Sequence, residues 1–191
     1  LGECLRDDGV AEVLAIVRSP TGQTLAKLRE LVHADLFDLS AVEAELAGFD
    51  ACFFCLGVSA AGMSEAEYRH VTYDLTLAVA ERLVRRNPPL TFIYVSGAGT
   101  DSSEHGRSMW ARVKGQTENA LAKLPFKATY LFRPGLIQPM HGHKSKTRLY
   151  RIGYAVLRPL YPILKLSPSL MTTSEGVGRG MLAAARGGAP K

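Results

Sequence analysis

The chain has no long apolar run, only three cysteines and a single tryptophan among its 191 residues. No apolar run approaches the roughly 18 uninterrupted residues that predict a membrane-spanning helix. Three cysteines cannot all pair within one chain, and residues 1–8 lack the basic and apolar segments typical of a secretion signal. Both observations favour a reducing compartment, and we expect the cytoplasm.

The composition is 47% hydrophobic and 21% charged, which is typical of a globular domain with a substantial core. The formal net charge is +5, and much of the excess lies between residues 144 and 165. Basic surfaces attract nucleic acid, phosphates or anionic lipid. Because no nucleic-acid-binding motif accompanies this charge, we expect a solvated basic face and no nucleic-acid partner.

Strand-like and helix-like segments alternate, which predicts a parallel sheet covered by helices on both faces. Strands are expected at 10–17, 31–33, 51–56, 90–95 and 127–132. Helices are expected at 24–30, 40–46, 65–85, 109–123 and 175–186, three of them opened by the capping-box patterns Ser40–Glu43, Ser64–Glu67 and Thr172–Glu175. We therefore predict an α/β fold with a doubly wound parallel sheet, Rossmann-like, in three α/β/α layers, and a single domain over residues 1–191.

Residues 142–170 fit this alternation least well, because they combine basic residues with three tyrosines and three prolines. One interpretation is a variable lid over a substrate cleft. The other is a basic surface at 144–165 that contacts a membrane or a protein partner. Both interpretations stay open.

A tryptophan and a lysine follow the apolar strand 90–95 and the small-residue loop 97–103. Trp110 and Lys114 are four residues apart, so both side chains leave the same face of the expected helix. An indole N–H can donate a hydrogen bond but cannot release a proton near neutral pH. The pair therefore provides one cationic side chain, Lys114, and no side chain that can act as an acid near neutral pH.

The order of strand, loop, Lys114 helix, next strand and Arg133-Pro-Gly resembles the atypical short-chain dehydrogenases/reductases. The likeness is greatest to the NAD(P)-binding, epimerase-like group with the Tat-interacting oxidoreductase-like branch. It covers nearly the whole chain, and its more specific elements are Val95-Ser-Gly-Ala-Gly99 and Arg112-Val-Lys-Gly-x-x-Glu118. In this superfamily a tyrosine stands at position 110 and passes the proton, while the lysine lowers its pKa and holds the cofactor ribose.

The resemblance implies a binding site for NADP, with NAD less expected. Arg18 would meet the 2′-phosphate, Lys114 would bind the nicotinamide ribose, and three further pairs or loops would line the dinucleotide. These are Asp35 and Leu36 at the adenine, Leu56 and Gly57 at the backbone, and Arg133, Pro134 and Gly135 beside the carboxamide. A strand-end arginine, a solvated turn and an ordinary Pro-Gly reversal would give the same residues without a ligand.

The catalytic residues implied are Ser96, Lys114 and, in place of the acid, Trp110. Ser96 would polarise a substrate oxygen, although the family's second serine is Gly97 here. Other hydroxyls of the loop, Thr100, Ser102 and Ser103, could substitute for it or simply structure the loop. Other proton donors stay open, namely Glu104, His105, Tyr68, Tyr73 and Tyr94.

The family begins with a strand and a Gly-x-x-Gly-x-x-Gly loop that binds the pyrophosphate. Leu1–Arg6 resembles the end of the helix that should follow this loop. Either a preceding segment supplies these parts, which we favour, or the domain is a remnant that cannot grip a dinucleotide normally. Without that strand, two apolar strand edges would be unpaired.

No metal or redox site is expected. Cys52 and Cys55 are three residues apart on a strand, so their sulfurs should face opposite sides, and we expect both to be buried. His141 and His143 lack a third ligand. Two functions remain: an NADP-linked oxidoreductase or epimerase-like enzyme acting on a small carbonyl or hydroxyl compound, or a non-catalytic dinucleotide-binding sensor or scaffold.

Overall fold

Parallel pairing joins all the strands of the computed structural model, which describes residues 1–138, 140 and 171–188. Strands β1 (Val13–Val17) and β2 (Leu28–Val32) form one pair. Strands β3 (Ala51–Phe54), β4 (Thr91–Val95) and β5 (Ala128–Phe132) form a sheet with β4 in its middle. A third pair joins β6 (Leu136–Gln138) to β7 (Met171–Thr173).

The described helices are interspersed with the strands, although residues 18–27 join the parallel strands β1 and β2 without one. The helices are α1 (Gly2–Arg6), a 3₁₀ helix (Ser40–Leu46), α2 (Glu65–Arg69), a π-helical turn (His70–Asp74), α3 (Leu75–Arg86), α4 (Met109–Leu121) and α5 (Ser174–Ala185). Among the residues that the structure describes, no helix combines the length and apolarity needed to cross a bilayer.

Side chains of β4 contribute to the hydrophobic cores on both faces of its sheet, because successive side chains of a strand point to opposite faces. Phe92 and Tyr94 pack into a cluster that includes residues of α3 and the end of α4. Ile93 faces the other side, where it packs with Met181 and Ala184 of α5. Helices therefore cover both faces, and the expected three-layer α/β/α arrangement is observed. That residues 1–191 form a single domain stays a prediction.

Strands β1 and β3 each have one hydrogen-bonded neighbour among the described strands. Leu14 and Ile16 of β1 nevertheless pack against the cluster that contains Phe54 of β3. The β1–β2 pair and the β3–β4–β5 sheet thus pack on one hydrophobic core, although no strand of one is hydrogen-bonded to a strand of the other. The expectation that a preceding segment supplies a strand and a glycine-rich loop stays a prediction.

Two details of the expected elements are wrong at the start of the chain. The helix expected at 24–30 is absent, because residues 28–32 form β2 and Val13 donates its N–H to the carbonyl of Lys27. Ser40 does not cap the helix that follows it. Its backbone N–H instead donates to the Asp38 carboxylate at 2.9 Å, and the segment is a 3₁₀ helix.

The other two capping boxes differ in outcome. The Ser64–Glu67 box is present, with the serine side chain and the glutamate side chain each bonded to the other's backbone N–H. At α5 the cap is Thr173 rather than Thr172, and its hydroxyl accepts from the Gly176 N–H at 3.0 Å. Residues 141–170, which include the expected lid or basic surface and both histidines of His141-Gly-His143, lie outside the described residues.

The cysteines fit the expectation only in part. Cys52 packs against the core cluster of Phe54, and burial raises the pKa of its thiol to about 12, so it is no reactive thiolate. Cys55 was expected to be buried, but it lies just beyond the end of β3 and is exposed. Within the part of the chain that the structure describes, no group of three or more His, Cys, Asp or Glu side chains could hold a metal ion.

Candidate functional site

Helix α4 places Trp110 and Lys114 one turn apart, next to the C-terminal end of β4. The Lys114 Nζ lies 5.5 Å from the ring centroid of Tyr94, the fourth residue of that strand. The Trp110 ring lies against the loop that leaves the strand. Sequence reasoning therefore assigned both residues to the right helix and to a common side of it.

Asp101 builds the loop between β4 and α4. Its carboxylate accepts hydrogen bonds from the backbone and hydroxyl of Ser103, at 3.0 and 2.6 Å, and from the N–H of Gly106. These bonds hold the pKa of Asp101 below its usual range, because they favour the ionised form. The hydroxyl of Ser103 is thus used to shape the loop.

Gly115 lets this loop lie directly on α4. A Cβ added at position 115 would sit 1.8 Å from the carbonyl oxygen of Asp101, far inside van der Waals contact. The backbone N–H of Asp101 also donates to the carbonyl of Ala111 at 3.1 Å. The residue after Lys114 therefore has to be glycine for the loop and the helix to meet as they do.

Ser96 is buried and its hydroxyl lies 2.9 Å from that of Thr100. Thr100 donates its own hydroxyl hydrogen to the Gly97 carbonyl at 2.8 Å. A hydroxyl carries one hydrogen, so Ser96 is the donor between the two. In this arrangement the Ser96 proton is directed at Thr100, and Ser96 has to rotate before it can polarise a substrate oxygen.

Trp110 fills space that glycines leave open. A Cβ added at Gly99 would lie 3.3 Å from the nearest indole carbon, and one added at Gly97 would lie 4.0 Å away. Gly99 also has a φ of +87°, which favours glycine. The indole therefore packs on the loop that carries Ser96.

Lys114 is half-buried and its amine has no ion-pair or hydrogen-bond partner within the described residues. Burial lowers the pKa of this amine, and the nearby Glu118 carboxylate offsets part of the effect. Tyr94, whose ring lies beside it, is buried, and burial raises the pKa of its phenol. A phenol with a raised pKa is a poorer acid, so Tyr94 does not replace the missing tyrosine of the family.

Glu118 lies one turn beyond Lys114 and is 1% exposed. Its carboxylate accepts from the Nε of Arg133 at 3.0 and 3.1 Å, and also from an Nη of the same guanidinium. That guanidinium further donates to the hydroxyl of Ser102. Arg133 thus points at α4 and its loop. Glu118 ends the motif Arg112-Val-Lys-Gly-x-x-Glu118, but the sequence pattern assigned it no role. Its i+4 spacing from Lys114, which places both side chains on one helix face, was the signal that could have revealed one.

The segment Arg133-Pro-Gly is also joined to the Ser96 loop through the backbone. Ser96 donates its N–H to the carbonyl of Phe132 at 2.7 Å, and Ala98 donates to that of Pro134 at 2.9 Å. The other side of Arg133–Gly135 opens into a cleft of about 260 Å³ toward the start of α5. Thr172, Gly176 and Val177 complete this cleft; the sequence pattern marked Thr172 only as a helix cap and did not single out the other two.

The remaining residues that the resemblance singled out lie at the C-terminal ends of β1, β2 and β3. Arg18 and Asp35 are exposed, and Asp35 accepts from the Phe37 N–H at 2.9 Å, as a turn aspartate does. Leu36 packs against the core. Leu56 is 49% exposed, and a Cβ at Gly57 would meet nothing within 4 Å. Arg18 and Asp35 thus follow the paired strands β1 and β2, whereas Leu56 and Gly57 follow β3 of the three-stranded sheet.

Among the alternative proton donors, Glu104 and His105 lie in the loop before α4, and Tyr73 lies in the π-helical turn. Glu104, with a φ of +67°, accepts from the amide of Asn119 at 2.7 Å and lines a separate cleft of about 340 Å³ with Tyr73 and Lys123. Asn119 is on a different face of the helix from Lys114. His105 is exposed. This geometry separates Glu104 from the pair at 110 and 114.

One solved structure shares this architecture over most of the chain. It is the Bordetella bronchiseptica enzyme WbmF in complex with NAD+, which superposes with a TM-score of 0.61 at 16% identity. The match covers 94% of this chain and 63% of WbmF. The chain has a Rossmann-like α/β fold. The expected fold class is confirmed, whereas so low an identity carries no further information about activity.

A curated relative is the mitochondrial protein FMP52 of Eremothecium gossypii, 32% identical over 128 residues. The aligned region is 66% of this chain and 54% of the relative, so the chain spans about half the length of that protein. No family model matches the chain. The expected cytoplasmic location is contradicted by this relative, which is named as mitochondrial. The cysteine argument failed because it separates oxidising from reducing compartments, not one reducing compartment from another.

We expect Gly115→Ala to separate the loop from α4. Because the new methyl group would overlap the Asp101 carbonyl, the free energy of unfolding should fall by about 1–3 kcal/mol instead of rising as for an ordinary helical glycine. Urea denaturation followed by the fluorescence of Trp110 measures both stability and loop position. Gly57→Ala, which adds a methyl group in open space, is the control. Equal stability of the two variants would contradict the close approach.

Proposed function

We propose that the protein binds a nicotinamide dinucleotide, NADP in preference to NAD, across the C-terminal ends of its strands. It would act as an oxidoreductase or epimerase-like protein on a small carbonyl or hydroxyl compound. The observation that carries the proposal is the half-buried Lys114 amine, which lies beside β4 in a Rossmann-like fold and has no acceptor among the described residues. WbmF, whose structure contains NAD+, shares that fold.

An amine in this setting is suited to hold ribose hydroxyls. Three N–H donors are available, and partial burial makes each hydrogen bond stronger than it would be in water. The exposed Leu56 and Val58 flank Gly57 at the end of the neighbouring strand. These residues offer apolar area and close backbone approach to a flat, extended ligand.

The preference for NADP rests on Arg18. It follows β1 directly, is exposed, and makes no ion pair within the described part of the chain. A guanidinium there suits the 2′-phosphate of NADP, because arginine binds phosphate through paired hydrogen bonds.

The relative FMP52 supports a mitochondrial location for this protein.

When bound, the nicotinamide ring donates or accepts a hydride. The Ser96 hydroxyl would then rotate away from Thr100 and donate a hydrogen bond to the substrate oxygen. Lys114 would hold the ribose in place. Trp110 can orient or exclude a substrate through its ring and its N–H, but it cannot transfer a proton near neutral pH. The proton of the reaction would therefore come from water or from another, unidentified group.

A second candidate function is dinucleotide binding without catalysis, as a sensor or scaffold. The packing of Trp110 on Gly97 and Gly99 favours it, since the indole occupies the side of the loop where a second serine would stand in the family. Both functions keep the same cofactor site, so binding and turnover have to be measured separately.

We expect Lys114→Ala to weaken NADPH binding about tenfold, because several hydrogen bonds to the ribose are lost in a partly buried site. Fluorescence titration with NADPH measures the dissociation constant. Lys123→Ala is the matched control, since Lys123 lies just beyond the same helix in the separate 340 Å³ cleft. The same loss of affinity in both variants would remove the ribose role from Lys114.

The protein should bind NADPH more tightly than NADH, and Arg18→Ala should abolish most of that preference. Removal of one charge-assisted phosphate contact is expected to cost about 1.5–3 kcal/mol in NADPH binding and little in NADH binding. Parallel titrations with the two nucleotides measure the ratio. If unmodified protein binds both equally, Arg18 has no part in selecting the cofactor.

Trp110→Tyr should raise turnover with generic carbonyl substrates, because a phenol beside Lys114 can supply the missing proton. Gains from general acid catalysis are typically about 10²-fold or more. Oxidation of NADPH across a panel of small aldehydes and ketones measures it. Trp110→Phe opens similar space without an acid and should show no gain. No gain for the tyrosine variant would favour binding without catalysis.

A further inference from the structure

We propose that Glu118 is a positioning residue that serves Lys114 and the Arg133-Pro-Gly segment together, with Arg133 as its fixed partner. The inference rests on the proposed function, because it describes how the proposed dinucleotide site is held ready for a ligand. It assigns a role to Glu118, to which the expected chemistry gives none, and a fixed partner to Arg133.

The geometry joins three parts of the proposed site through one carboxylate. Glu118 belongs to α4, and the bonds of its two oxygens to Arg133 fix the side chain of the segment that follows β5. The same guanidinium reaches the loop after β4 through Ser102. Helix, segment and loop are therefore joined through a single ion pair whose carboxylate is buried.

The charge arrangement gives this ion pair an effect on Lys114. Glu118 is one turn away on the same helix and raises the pKa of the amine, against the lowering by burial. Arg133 occupies the hydrogen-bonding positions of the carboxylate, so Glu118 supports the positive charge of Lys114 without binding the amine. The buried phenol of Tyr94 flanks the amine, and a second buried tyrosine, Tyr68, lies near that phenol. Glu118 thus favours the charged form of the amine and leaves its N–H groups available to a ligand.

An ion pair elsewhere in the chain provides a control of similar chemistry. Glu43 binds Arg82 at 2.7 Å and Arg86 at 2.6 Å, and its side chain is 20% exposed, against 1% for Glu118. It joins the 3₁₀ helix to α3 and has no bond to α4 or to the Arg133 segment. Glu43→Gln therefore removes an arginine-bound carboxylate without altering the cleft.

The test measures how fast Lys114 reacts with formaldehyde and a borane reductant at a fixed pH near neutrality, by peptide mass spectrometry with Lys123 as internal standard. Glu118→Gln removes the negative charge and leaves Arg133 positive, so more of the amine is neutral and labelling should be at least about threefold faster. The double variant Glu118→Gln with Arg133→Gln should fall between this variant and the unmodified protein. Glu43→Gln should label Lys114 at the original rate.

NADPH titration of the same proteins adds the second readout. Affinity should fall about fivefold to tenfold in Glu118→Gln. The conservative Arg133→Lys, which keeps the charge, should retain the labelling rate of unmodified protein. If Glu118→Gln does not fold, the double variant decides alone, because removal of both partners leaves no unpaired buried charge. It should then label faster than unmodified protein.

Unchanged labelling of Lys114 in Glu118→Gln, or a double variant as reactive as the single one, would overturn the inference. Failure of the proposed function has a different signature. Unmodified protein would then show no dinucleotide binding, while the order of labelling rates among the free proteins would still hold.

Discussion

A buried carboxylate has to be matched by a cation, and this requirement organises the proposed dinucleotide site around Glu118. The Glu118 side chain is almost fully enclosed, and only the bidentate contact of Arg133 satisfies it within the described residues. An uncompensated charge at such a position would cost several kcal/mol. The segment after β5 is therefore held close to α4. Its backbone in turn holds the loop of Ser96 through the bonds to Phe132 and Pro134.

A steric condition reinforces this electrostatic one. The loop after β4 reaches α4 only because position 115 has no side chain, and Asp101 then orders the loop with its own carboxylate. Lys114 and Glu118 stand on either side of that glycine. The spacing Lys-Gly-x-x-Glu thus combines a free amine, a point of backbone contact and a buried anion within one turn and a half of helix.

The sequence predicted the layered α/β fold well, because alternating strands and amphipathic helices follow from periodicity alone. It placed Trp110 and Lys114 correctly, since an i, i+4 pair shares a helix face whatever surrounds it. It failed where the outcome depends on long-range partners. Residues 28–30, expected to end a helix, belong instead to β2 because they pair with β1. Strand β6 was missed because its partner, β7, is remote in the chain. The bond of Glu118 to Arg133 joins residues of different elements, which no local pattern reveals.

Trp110 and Gly97 are the two positions near Ser96 that differ from what the resemblance implies, which is a tyrosine and a second serine. A Cβ at Gly97 would lie 4.0 Å from the indole ring, an ordinary contact, whereas one at Gly99 would lie 3.3 Å away. The ring therefore packs most closely on Gly99. Because Lys114, Glu118 and Arg133 make their contacts without a phenol at 110 or a hydroxyl at 97, the proposed dinucleotide site depends on neither group.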